Sequence, residues 1–177
     1  MACTWNSLAL LVSIFLGVIG EPHLLFVNGD AAPIDSVCRK TGSDGFCHLC
    51  FSSYPRSLGK DAKSLVRTSI DCTRFQSIQI RNVLRLLVRS APKERFKKLL
   101  VDGVFAFHDA KAELDTACLS RRDGHYADAS NRVLAALKFG QAYEDLLESQ
   151  VPAGTLGKMI ETFDGLATAS DGVLREL

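Results

Sequence analysis

The 177-residue chain carries 21 Lys/Arg against 20 Asp/Glu, with 47% apolar and 23% charged residues. That composition excludes a disordered chain, which lacks the apolar surface needed to fold, and a uniformly basic nucleic-acid binder. The length suits one domain with a real core.

An apolar run from Leu8 to Ile19 is too short to span a bilayer comfortably and reads as the hydrophobic region of a secretory signal, although no Lys or Arg precedes it. Small residues at Val27-Asn28-Gly29 place cleavage before Asp30, with Ile19-Gly20 as the competing point. Residues 1–29 are thus expected to be a signal peptide and 30–177 the mature domain. An uncleaved anchor is the alternative. No later segment is long and apolar enough to span, so the product is expected to be secreted, without membrane contact after processing. Five cysteines remain after cleavage: Cys38, Cys47, Cys50, Cys72 and Cys118. An odd number leaves at least one thiol outside any intrachain bridge. No Asn-x-Ser/Thr glycosylation acceptor is present.

The mature chain opens with a small element, Ile34 to Tyr54, divided by the turn cluster Gly42-Ser43-Asp44-Gly45. Cys38 and Cys47 flank this turn, so two short helical arms could fold back and be pinned by a disulfide, a link of roughly 2–3 kcal/mol for so short a loop. Four long helical patterns follow. The first covers about 60 to 90, with Ala62, Leu65, Val66, Ile70, Phe75, Val83, Leu84, Leu87 and Val88 on its apolar side. Ala91-Pro92 ends it. The second runs Phe96, Leu99/Leu100, Gly103, Phe107, Ala110, Leu114, Ala117, and Asp123-Gly124 closes it. The third runs Tyr126, Ala129, Val133, Ala136, Gly140, Tyr143, Leu147, and ends at Val151-Pro152-Ala153-Gly154. The fourth holds Leu156, Ile160, Phe163, Ala167, Val173 and Leu177. Steps of three and four mark amphipathic helices. Short loops between helices of similar length predict an all-α, up-down-up-down four-helix bundle behind the disulfide-linked helical hairpin. Gly103 costs about 1 kcal/mol relative to alanine inside a helix, so it is expected to make room for a large neighbour.

Charge is uneven along the chain. Residues 56–98 hold 12 Lys/Arg and 3 Asp/Glu, whereas residues 99–177 hold 7 and 13. In an antiparallel bundle the two halves become neighbours, so mutual compensation is favoured over nucleic-acid binding. Binding of an acidic polysaccharide through the basic first helix is the weaker alternative.

Little in the pattern speaks for catalysis. Cys47-His48-Leu49-Cys50 has a redox-motif shape, but no thioredoxin-like strand precedes it. A zinc site from Cys38, Cys47, His48 and Cys50 lacks a second paired cluster. The plainer reading gives Cys47 to Cys38 and leaves Cys50 as a surplus or buried thiol. Cys72 and Cys118, on different helices, either bridge or stay as buried thiols. His48, His108 and His125 are scattered, and no nucleophile has a recognisable partner. Glu144 and Asp145 point in different directions and read as a solvated face. Neither an enzyme nor a cofactor or metal is expected. A helical module that takes an apolar ligand in a glycine-lined seam remains as a binding alternative.

One set of residues, in order, carries a family resemblance. Ile34-Asp35-Ser36-Val37-Cys38-Arg39-Lys40-Thr41 with Phe46-Cys47, then Leu100-Val101-Asp102-Gly103 with Phe107, Ala110 and Leu114, resembles the plant invertase and pectin methylesterase inhibitors. Tyr126-Ala127-Asp128-Ala129, Arg132 to Leu137 and Tyr143-Glu144-Asp145 are similar to that family's third bundle helix. The resemblance spans essentially the whole mature chain. It implies a disulfide-pinned hairpin on a four-helix bundle, and a non-catalytic inhibitor that docks on invertase or pectin methylesterase in the apoplast or vacuole. It also implies a second disulfide joining the second and third bundle helices, whose positions fall here at Gly103 and Tyr143. With both cysteines gone, glycine opposite tyrosine fills the gap by packing, since a tyrosine ring buries on the order of 150–250 Å². Finally, Pro92-Lys93 with Phe96 resembles the Pro-Lys-Phe motif with which invertase inhibitors reach their target's carboxylates, here with two residues inserted before the phenylalanine.

Overall fold

The computed structural model describes residues 31–54, 62–148 and 154–176. The signal-peptide reading, the break at 151–153 and Leu177 fall outside the described residues. Among the described residues six helices follow one another: α1 (Ala31–Cys38), α2 (Asp44–Ser53), α3 (Ala62–Ser90), α4 (Glu94–Arg122), α5 (Tyr126–Glu148) and α6 (Thr155–Arg175). No strand occurs among the described residues. Helices α3 to α6 form the up-down-up-down bundle, each packing on the next and α6 closing the ring against α3. The α1–α2 hairpin lies chiefly on α6. No helix among the described residues is long and apolar enough to cross a membrane.

The turns follow from local chemistry. Gly124 takes φ +84°, and its N–H donates to the Arg121 carbonyl while the His125 N–H donates to Ser120. These two bonds satisfy carbonyls left open at the end of α4 and reverse the chain into α5. Gly42 takes φ +70° in the hairpin turn.

The buried faces of α4 and α5 carry the two stripes read from the sequence, from Leu99 to Ala117 and from Ala129 to Leu147, while Phe96 and Tyr126 pack partly buried at the margins. At the centre, Phe107 meets Phe163 edge-on at 5.2 Å and Tyr143 edge-on at 6.0 Å. Gly103 faces Tyr143: a Cβ there would lie 2.6 Å from Cε2, 2.7 Å from the hydroxyl oxygen and closer still to Cζ. Gly140 receives Phe163 in the same way. The glycine seam is therefore filled by aromatic rings, which removes the apolar-ligand cavity that it suggested.

On α3 the apolar reading needs correction. Phe75, Val83, Leu87 and Val88 are only partly buried, and the inner row passes through Ser69, Thr73, Ser77, Ile80 and Leu84. Hydroxyl residues break an apolar pattern yet bury well when they bond back to their own helix. Ser69 donates to Val66 at 2.9 Å and Ser77 to Arg74 at 2.7 Å, and Thr73 meets Ser170 of α6 at 2.9 Å.

Candidate functional site

The hairpin is fixed by two disulfides. Cys38 bonds Cys47 with Cα atoms 5.4 Å apart, and Cys50 bonds Cys72 at 5.9 Å, which ties α2 to α3. Two earlier expectations are thereby corrected. Cys50 is not a surplus thiol, because three residues after Cys47 it shares the inner face of α2 and meets α3. Cys72 does not bridge Cys118, because its sulfur is already bonded; the buried Cys118 lies in neither disulfide and faces Asp71 at 4.0 Å. With both sulfurs of Cys47-His48-Leu49-Cys50 committed to different partners, neither the dithiol nor the thiolate zinc reading has its ligands. His48 instead faces Asp44 at 3.2 Å and Asp35 at 3.7 Å.

Two glycines of α6 seat the hairpin, a role that sequence reading missed. A Cβ on Gly172 would lie 2.5 Å from the Thr41 Cα, and one on Gly165 would overlap the Phe46 ring. Their seven-residue spacing puts both on one helical face, and that was the available signal.

Charge compensation holds at only one end. Arg74 of α3 and Lys111 of α4 both pair with Asp115, whose carboxyl is half-buried; their hydrogen bonds and charges outweigh that burial and hold it below the usual carboxylate range. Toward the α3–α4 turn, Arg85, Arg89, Lys97 and Lys98 are exposed and have no ion-pair partner among the described residues. The expected mutual neutralisation of the two halves therefore fails at this end.

Pro92 and Lys93 are exposed in that turn, and the Lys93 carbonyl accepts the Lys97 N–H at 2.9 Å as α4 begins. Phe96, one turn on, packs partly into the core. The turn thus presents the proline and the lysine, with the phenylalanine behind them as support.

At the same end of the bundle, α5 and α6 carry acidic groups. Asp145 is exposed and Glu144 is partly exposed on the next position of α5, and burial, then the charge of Glu148, raises the Glu144 carboxyl above the usual carboxylate range. Burial and the nearby Glu144 push the Asp164 carboxyl up to about 7. Burial, then the charge of Asp102, pushes Tyr143 up to about 12.

No family model matches the chain, and no curated protein matches it. Solved structures do. A mutant form of a pectin methylesterase inhibitor from Arabidopsis superposes with a TM-score of 0.72 at 19% identity, covering 81% of this chain and 96% of that one. A pectin methylesterase inhibitor from Arabidopsis thaliana superposes at 0.64 with 18% identity, covering 84% and 97%. The chain has the fold of these inhibitors from end to end of their length.

Proposed function

We propose that this chain is an exported, non-catalytic inhibitor that docks on a carbohydrate-active enzyme of the plant cell wall or vacuole, either pectin methylesterase or invertase. The observation that carries the reading is the superposition over 96% of a pectin methylesterase inhibitor, hairpin and bundle together. Two disulfides suit an oxidising compartment and stiffen the hairpin. A rigid body suits an inhibitor, because a preorganised surface loses little entropy on docking. Lys93, raised on a proline-stiffened turn, offers a cation to an acidic active-site cleft at low ordering cost.

The neighbours point toward pectin methylesterase, and the Pro92, Lys93 and Phe96 cluster points toward invertase. Both enzymes belong in the test. Purified protein at micromolar concentration and mildly acidic pH is expected to suppress one of them, and Lys93→Ala is expected to weaken that suppression by about tenfold if the lysine meets a carboxylate. Full activity of both enzymes would remove the proposal.

A further inference from the structure

We propose that the α3–α4 edge beside the turn binds a linear acidic polysaccharide, its sugar carboxylates following an arginine row and its ring faces resting on Val101 and Phe105. Arg81, Arg85 and Arg89 recur at steps of four on α3, so they line one stripe with about 6 Å between successive positions. Like charges at this spacing oppose helix formation. Among the described residues none of the three forms an ion pair: Arg81 feels the charge of Asp115 but its one side-chain hydrogen bond there is to His108, at 3.5 Å, and its buried Nε has no hydrogen-bond partner. Next to this row along α4, Lys97 and Lys98 edge an adjoining depression.

The floor is apolar. Two shallow depressions, of about 460 and 250 Å³, meet at Val101; the second runs between Arg85 and Arg89 on one side and Phe105 on the other. Phe105 is 62% exposed although it sits in mid-helix. Glu94 is the one acidic residue lining either depression. Two adjoining, open, cation-edged depressions with apolar atoms on their floors suit an extended chain of charged sugars, which offers an anion on each ring and a C–H-lined face beneath it. A compact anion such as phosphate would need converging donors, and this row does not converge. Two disulfides suit an oxidising, extracellular setting, where acidic glycans rather than nucleic acids are the common polyanions.

Polymer binding is read without any target enzyme, so its failure is distinct from a failure of inhibition. The intact, disulfide-bonded protein is titrated with polygalacturonate by calorimetry in low salt, with circular dichroism to verify each variant's fold. Saturable binding is expected, weakening at least about tenfold between roughly 0.02 and 0.2 M NaCl as the charges are screened. The pair Arg85→Glu and Arg89→Glu is expected to lose about tenfold or more, and Phe105→Ala about threefold. Lys138→Glu with Lys158→Glu, an equal change of net charge elsewhere, is expected to stay within about twofold. A fully methyl-esterified polymer is expected not to bind. Absence of saturable binding, or equal loss in the control pair, overturns the proposal. So does equal affinity for single-stranded DNA with no effect of Phe105→Ala, or salt-sensitive self-association that the same reversal abolishes without polymer.

Discussion

Gly103→Ala separates packing from propensity at the seam between α4 and α5. By propensity alone, alanine stabilises a mid-helix position by about 1 kcal/mol relative to glycine. Here the new Cβ falls on the Tyr143 ring, within 2.7 Å of three of its atoms. The ring is 3% exposed and held against Phe107, so it has nowhere to retreat. Overpacking of this kind costs about 1–3 kcal/mol, and the net result is a loss of about 1 kcal/mol. For a domain of this size that lowers Tm by about 2–4 °C. Tyr143→Phe leaves Cζ in place and should not relieve the clash, whereas Tyr143→Leu should. In the leucine background, Gly103→Ala is expected to raise Tm by about 2–4 °C, a coupling within the 0.5–3 kcal/mol that contacting residues show. Thermal unfolding of the four proteins measures the cycle. If Gly103→Ala stabilises the parent as much as the leucine variant, the two residues do not share this space.

Other consequences concern the buried acid, the disulfides and the hairpin seat. Because the folded Asp164 carboxyl is raised from 3.8 to about 7, its contribution is fully present below about pH 4 and is lost as pH rises through 7. The full shift corresponds to about 4 kcal/mol, which partial exposure reduces to about 1–2 kcal/mol. Asp164→Asn is therefore expected to raise Tm by about 2–8 °C at pH 8 and leave it nearly unchanged at pH 4, as pH-dependent melting would show. Replacing Cys50 and Cys72 together by alanine reopens a 22-residue separation and is expected to lower stability by about 3 kcal/mol, measured by urea unfolding. Gly172→Ala drives a methyl group into the Thr41 backbone and is expected to loosen the hairpin, read as faster amide exchange in α1 and α2 with α4 and α5 little changed.

The helical stripes from Phe96 to Ala117 and Tyr126 to Leu147 were legible because apolar spacing alone places a face, and Asp123-Gly124 was legible because few residues favour a left-handed turn. The inner row of α3 was not, because Ser69, Thr73 and Ser77 look solvent-loving until their hydroxyls are seen bonded to carbonyls. Gly103 announced a large neighbour, and its partner was named through a family pattern rather than from spacing. The pairing of Cys50 with Cys72 needed three dimensions, since five cysteines allow many connectivities and only proximity selects one. The same holds for charge. The order of residues determined that the first bundle helix is basic; the crossing of helices decided that Asp115 neutralises Arg74 while Arg85 and Arg89 are left facing solvent, because Coulomb pairing falls off with distance and distance is a property of the fold.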